Sequence, residues 1–401
     1  MNIKDQYERF PYPPISALAL PRKDQGQGLK YEAGAALVRS PLRSVPSSHK
    51  GMRILVAGCG TLEALVVAQA HPQASEVVAI DISEASLSRF KKRLALAKVV
   101  RFPFKIPKIT TLCLDLTQRI EFPSQFDYIV CSNVIHHVAE PARMLNHLAS
   151  LLKGGGLLRM VTYPKGSRLW MRETSRWLRL DGLMPGTPGL VRRARKRIGT
   201  LPKEHPIRSC FESQPEAHSP TGIVDAFLNA CENPLHPLEW KVAAQNAGLV
   251  CVGETQTASS RSSFLWEVVP SLKCLPSWES LQVLDDLLEV CANPVLWFCK
   301  SEGVAREPQN LELSDLKLRP TPAPESEDGV MPSRIYGEMK QNLLRCQALL
   351  EKFEAPIGVA ELFSEFKTRV GPRVDAVTRR PLAGLSITDH SFEEIMAAAA
   401  N

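Results

Sequence analysis

The run Ile54-Leu55-Val56-Ala57 breaks at once into Gly58-Cys59-Gly60-Thr61-Leu62-Glu63, and a second apolar run, Val77-Val78-Ala79-Ile80, ends on Asp81. A short apolar stretch bounded by glycines reads as a buried parallel strand, and glycines after it let backbone approach a ligand where the next helix starts. An acid closing the second strand is placed to accept hydrogen bonds from both hydroxyls of a ribose. Few folds other than an α/β sheet holding a nucleoside at its carboxyl edge accommodate that pattern.

The residues beside the glycines narrow the ligand. A dinucleotide site needs a third glycine three positions beyond Gly60, where a helix meets the strand and a diphosphate sits on its amino end. Glu63 stands there. A carboxylate facing a diphosphate disfavours NAD and FAD, whereas a cationic, phosphate-free adenosyl ligand such as S-adenosylmethionine (SAM) tolerates it.

Several further segments share this context. Asp81-Ile82 is followed by Cys113-Leu114-Asp115-Leu116, then by Phe126-Asp127-Tyr128-Ile129-Val130-Cys131-Ser132-Asn133-Val134-Ile135-His136-His137, then by Lys153-Gly154-Gly155-Gly156-Leu157. Together with the glycine turn, this series resembles the class I SAM-dependent methyltransferases over roughly residues 50–162. The resemblance implies cofactor contacts from Ala57, Gly58, Cys59, Gly60, Thr61, Asp81, Ile82, Asp115, Leu116 and Asn133. It places His136 and His137 beside the transferable methyl group as candidate bases, and it leaves Val56 where the family often has an acid and Leu62 where it often has a glycine. An Asn-Pro-Pro-Tyr loop is missing at Asn133, which disfavours methylation of nucleic-acid exocyclic amines.

The expected fold is α/β: a doubly wound, mostly parallel, seven-stranded Rossmann-like sheet. Strands are expected near 52–57, 76–81, 109–114, 126–132, 157–162, 249–254 and 295–300, with helices between them. One helix after Asp81 puts Leu87, Phe90, Leu94 and Ala97 on a single face; another after Pro141 does so with Met144, Leu145, Leu148, Leu151 and Leu152. The glycines from Gly154 are expected to end that second helix through a left-handed cap.

Domain organisation reads as an N-terminal arm (1–50), a methyltransferase-like domain (51–303) with a basic lid insertion at 163–235, a flexible linker (304–333) and a helical C-terminal extension (334–401). The linker reading rests on Pro308, Pro320, Pro322, Pro324 and Pro332 among acidic and serine residues. In the extension, Tyr336, Met339, Leu343, Cys346, Leu350 and Phe353 recur at helical spacing. Tyr7-Glu8-Arg9-Phe10-Pro11-Tyr12-Pro13 also resembles a segment that opens a bacterial subgroup of these enzymes, and Val224-Asp225-Ala226-Phe227-Leu228-Asn229 and Trp278 to Cys291 resemble others. The arm reads either as a stiff polyproline-like stretch or as a cover in which Tyr7, Phe10 and Tyr12 close over the cofactor.

Ten scattered cysteines form no Cys-x-x-Cys or Cys/His cluster, so reduced thiols, no metal and a cytoplasmic location are expected. No stretch of apolar residues approaches the length of a membrane span. The net charge is +7, and residues 165–203 alone hold eleven basic against two acidic residues, with Trp170 and Trp177 interleaved. Such a cluster is either a solvated helix face or a grip for an anionic partner.

The reading favours a small organic methyl acceptor, with transfer to O, N or C. An acidic protein or RNA reached through Arg192, Arg193 and Arg195 is the alternative, and a SAM-binding scaffold without catalysis is a third.

Overall fold

The computed structural model describes residues 2–22, 25–38, 48–100, 106–255, 277–288, 290, 293–300, 317–318 and 357–358. The chain divides into two units, Met1–Glu307 and Pro308–Asn401. In the second unit, β8 (Lys317–Leu318) pairs antiparallel with β9 (Ile357–Gly358). The linker reading and the apolar seam from Tyr336 to Phe353 otherwise lie outside the described residues.

The first unit is built on a seven-stranded sheet in the order β3-β2-β1-β4-β5-β7-β6. Its strands are β1 (Arg53–Ala57), β2 (Glu76–Asp81), β3 (Lys108–Cys113), β4 (Phe126–Ser132), β5 (Leu152–Val161), β6 (Leu249–Glu254) and β7 (Val295–Lys300). The first five run parallel, and β7 is antiparallel to both β5 and β6. The chain reverses strand order between β1 and β4, and ligands bind at the carboxyl edge beside such a switch point.

Both faces of the sheet are covered, which is why its central strands are apolar throughout. On one face α3 (Glu63–Ala70), α4 (Glu84–Val100) and the N-terminal α2 (Tyr31–Leu37) close a core of Ile54, Val56, Val77, Phe90, Tyr128 and Trp297. The other face packs α5 (Pro141–Leu151), α10 (Pro237–Asn246) and α11 (Ser277–Asp286) on Leu55, Ile129, Leu158 and Phe298. The stripe Leu87, Phe90, Leu94 and Ala97 of α4 is buried, as are Met144, Leu145, Leu148 and Leu151 of α5.

Two local expectations are corrected. Helix α5 does not end on a left-handed glycine: its cap is Leu152, which is extended and already belongs to β5. Gly154, Gly155 and Gly156 fall inside that strand, where the register jumps from Phe126↔Leu152 to Tyr128↔Leu157, so they form a bulge that lets the helix pass straight into the sheet. The arm, in turn, is not a polyproline rod throughout. Its first residues form α1 (Ile3–Arg9), closed by a reciprocal capping box between Asn2 and Asp5.

The arm is tied down at several points. The Glu8 carboxylate accepts from the backbone N–H groups of Glu84 (2.6 Å) and Ala85 (3.0 Å) at the start of α4, where helix N–H groups lack intrahelical partners. Arg93, fully buried, donates to the carbonyls of Ala19, Ile15 and Ser16.

The insertion between β5 and α10 folds as α6 (Leu169–Leu180), α7 (Leu190–Ile198), α8 (Pro206–Ser213) and α9 (Pro220–Phe227). These helices enclose an apolar cluster of their own, including Leu178, Leu190, Ala194, Ile198, Ile223 and Phe227. No helix among the described residues is long and apolar enough to cross a membrane.

Candidate active site

A cleft of about 1480 Å³ opens at the carboxyl edge of β1 to β5, walled by the glycine turn, the arm and the inserted helices. Gly58 and Gly60 have φ of +80° and +52°. A side chain at Gly58 would collide with the Val134 methyl groups, and one at Gly60 would lie 2.6 Å from the Tyr12 carbonyl. The turn is pinned by the N–H groups of Gly58 and Cys59, both donating to the Ile80 carbonyl.

Asp81 is 8% exposed and lines the cleft. Its carboxylate accepts from Gly60 N–H at 2.8 Å and from Ser83 N–H at 2.9 Å. Burial pushes its pKa up, against the opposing pull of those two backbone donors. One acid therefore braces the glycine turn and the start of α4 at the edge where a ribose would lie.

Of the other residues singled out in the sequence, Cys59, Ile82, Asp115, Leu116 and Asn133 also line the cleft. Asp115 holds an Asx turn through Thr117. Asn133 takes φ of +55° directly after β4 and accepts from the Asn293 amide. Ala57 and Thr61 do not reach the cleft. Ala57 is fully buried in the core, and Thr61 faces the arm, its N–H on the Tyr12 carbonyl and its hydroxyl on the Pro13 carbonyl.

The two histidines separate. His137 lines the cleft, is 4% exposed and sets its Nδ1 2.9 Å from the Cys231 carbonyl, which fixes the proton on Nδ1. Its Nε2 is buried and has no hydrogen-bond partner among the described residues. His136 lies outside the cleft wall. Its Nδ1 accepts from Tyr163 N–H at 3.1 Å and its ring stacks on Tyr163 with centroids 3.6 Å apart. Burial, then the neighbouring His137 and Arg168, hold its pKa well below the usual histidine value. Packed and neutral, His136 is corrected from candidate base to support for Tyr163.

The far wall joins Tyr7 and Tyr12, offered by the sequence as a cover, to Asp225, Tyr163 and Arg168, which the sequence had not marked as site residues. Tyr7 donates to Asp225 at 2.9 Å; Asp225 sits on α9 at 5% exposure. Arg168 lies over the Tyr163 ring at 3.5 Å and pairs with Glu232 at 3.5 Å. Burial, then Asp225 and Glu216, push the Tyr12 hydroxyl up to about 12. A carboxylate inside the apolar run 222–228 was the available signal for Asp225. Phe10 is not among the wall residues.

The basic stretch is partly engaged. Arg197 pairs with Asp181, Arg176 with Glu173, and Arg195 donates to the Ala217 carbonyl. Arg192, Arg193 and Lys196 are exposed on α7 and have no ion-pair partner among the described residues.

A doubly wound sheet with a glycine turn, an acid at the end of β2 and a cleft under inserted helices defines a class: an α/β domain with a ligand cleft at the carboxyl edge of its sheet. Residues 55–158 match a family model for the methyltransferase domain. The match runs from β1 into β5, taking in the glycine turn and Asp81, and makes this segment similar to a methyltransferase domain. PKMT2 of Rickettsia typhi, solved with AdoHcy, has a similar fold: TM-score 0.56 at 17% identity, covering 92% of this chain and 75% of that one.

Among curated relatives, an uncharacterized protein of Synechococcus is 32% identical over 42% of this chain and 38% of its own length. The ubiquinone biosynthesis O-methyltransferase of Neisseria meningitidis is 28% identical over 30% of this chain and 48% of its own. The chain thus spans about half or less of the length of these relatives.

Proposed function

We propose that the protein transfers the methyl group of SAM to a small organic molecule held between His137 and the inserted helices, at an oxygen, nitrogen or carbon, with a hydroxyl first. The observation that carries this reading is His137 at the cleft wall, its Nδ1 directed at the Cys231 carbonyl and its Nε2 buried without a hydrogen-bond partner among the described residues. Similarity to ubiquinone biosynthesis O-methyltransferases over the core of the domain supports oxygen as the acceptor atom.

SAM supplies an electrophilic methyl on a sulfonium. What the protein contributes is alignment, dryness and a proton sink. Gly58, Gly60 and Asp81 fix the nucleoside end. Tyr7, Tyr12 and Tyr163 line the wall and restrict water. Holding the reactants in line is worth about 7–11 kcal/mol of barrier, and a positioned base adds roughly 10²–10⁴-fold where the nucleophile must lose a proton. His137 Nε2 takes that proton.

The deciding experiment incubates the purified protein with methyl-labelled SAM and cell extract, then separates small molecules, protein and RNA. Label in the small-molecule fraction supports the reading, and label confined to protein or RNA overturns it. The exposed cations Arg192, Arg193 and Lys196 favour that second outcome, since they present an anion-binding face beside the lid. SAM binding without transfer to any fraction would instead make the chain a binding scaffold.

A further inference from the structure

The end of β1 offers no charge: Val56 is apolar and fully buried where related domains often have an acid. The amino-acid end of SAM still carries an ammonium and a carboxylate, and burying either unpaired is costly. Five strand ends lie side by side in the order β3-β2-β1-β4-β5. Asp81 closes β2 and Asp115 stands two residues beyond β3, so the nucleoside belongs there, and a ligand running on past the glycine turn reaches the ends of β4 and β5.

A carboxyl and a guanidinium line the cleft on that side; burial pushes the Glu63 carboxyl up to about 7, while the Ser132 hydroxyl and Arg159 pull it back. Glu63 is the first residue of α3, and Arg159 projects from β5 at 8% exposure. Arg159 donates Nε to the Gly28 carbonyl at 2.8 Å and Nη1 to Ser132 Oγ at 3.0 Å. No hydrogen bond to Nη2 is found among the described residues, and no ion pair joins Arg159 to Glu63. Ser132, the last residue of β4, links them, since its hydroxyl also bonds the Glu63 carboxylate. A carboxyl and a guanidinium on one wall, close enough to feel each other but with no direct ion pair between them among the described residues, complement a zwitterion.

We propose that Glu63 takes the ammonium, and Arg159 the carboxylate, of the amino-acid end of the cofactor, with Ser132 holding both in place. The assignment rests on the reading that this domain binds SAM. It makes the pair the element that separates SAM and S-adenosylhomocysteine from adenosyl ligands lacking the amino-acid end. It also gives a use to a cation buried in the apolar run 157–161 of β5.

The test compares two ligands by calorimetry: S-adenosylhomocysteine and 5′-methylthioadenosine, which keeps the nucleoside and thioether but has no amino acid. Glu63→Gln is expected to weaken S-adenosylhomocysteine roughly 10- to 100-fold, the size of a lost charged hydrogen bond. Binding of 5′-methylthioadenosine should stay within about twofold, a result that also certifies the variant as folded. Arg159→Lys, which keeps charge but loses the planar fork, should show the same selective loss at smaller size. Equal effects on both ligands, or none on either, overturn the assignment. If wild-type protein binds neither ligand, the SAM reading itself has failed.

Discussion

At the His136–His137 pair, the direction of one hydrogen bond separates two chemistries. His137 gives its Nδ1 proton to Cys231 and keeps an acceptor nitrogen, while His136 spends its acceptor on Tyr163. His137→Ala should lower kcat about 10²- to 10⁴-fold with affinity for S-adenosylhomocysteine unchanged within about twofold. His136→Ala should act on stability instead, lowering it by roughly 1–3 kcal/mol in denaturant unfolding through the lost stack and the orphaned Tyr163 N–H. A kcat loss in both variants with no change in stability would contradict this division. The glycines, Asp81, Asp115 and Asn133 were legible in the sequence because each sits within a few residues of the strand end that displays it. The roles of the histidines were not, because the carbonyl that fixes the His137 tautomer is 94 residues away in sequence.

Among the elements, α3 and the arm illustrate two kinds of attachment. His71 caps α3, its Nδ1 on the Val67 carbonyl and its Nε2 accepting from Tyr31 N–H at the start of α2. Burial holds its pKa down to about 4. An unfolded histidine titrates near 6.5, so the unfolded chain binds the proton first on acidification. Its contribution is fully present above pH 6.5 and is lost as pH falls toward about 4, a total of roughly 3 kcal/mol. Stability of the wild-type protein measured from pH 7 to 4 should fall more steeply than that of His71→Gln. The arm is joined to the site itself: removing residues 1–14 deletes Tyr7, Tyr12 and the carbonyls that Thr61 holds, and should weaken S-adenosylhomocysteine binding by calorimetry. Unchanged affinity would reduce the arm to packing. Strand positions were readable from apolar runs, and β2, β4, β6 and β7 fall where expected. The bulge at Gly154, Gly155 and Gly156 was not, since triple glycine serves a helix stop and a strand kink equally well and only the register with β4 decides.

For the whole molecule, charge and enclosure point to different partners. The exposed face of α7 carries Arg192, Arg193 and Lys196, none of which lines the cleft, whose own charged groups are carboxylates together with Arg159 and Arg168. Reversing those three residues to Glu should leave turnover of a small acceptor unchanged within about twofold, at both roughly 50 and 300 mM salt, where screening of exposed charge differs strongly. A large, salt-dependent loss would instead mark an anionic macromolecule as the substrate. Composition alone could not choose, because it counts cations without saying that Arg195, Arg197 and Arg176 are already engaged. Arg93 carries a last consequence. Its guanidinium grips three carbonyls of the arm, those of Ile15, Ser16 and Ala19, and Glu8 and Thr61 fasten the arm at two more places, so this side behaves as a fixed jamb. The inserted helices, which have a core of their own, meet that fixed side through Tyr7 on Asp225 and Gln6 on the Ala230 N–H, so parting the two walls of the cleft would have to break both bonds.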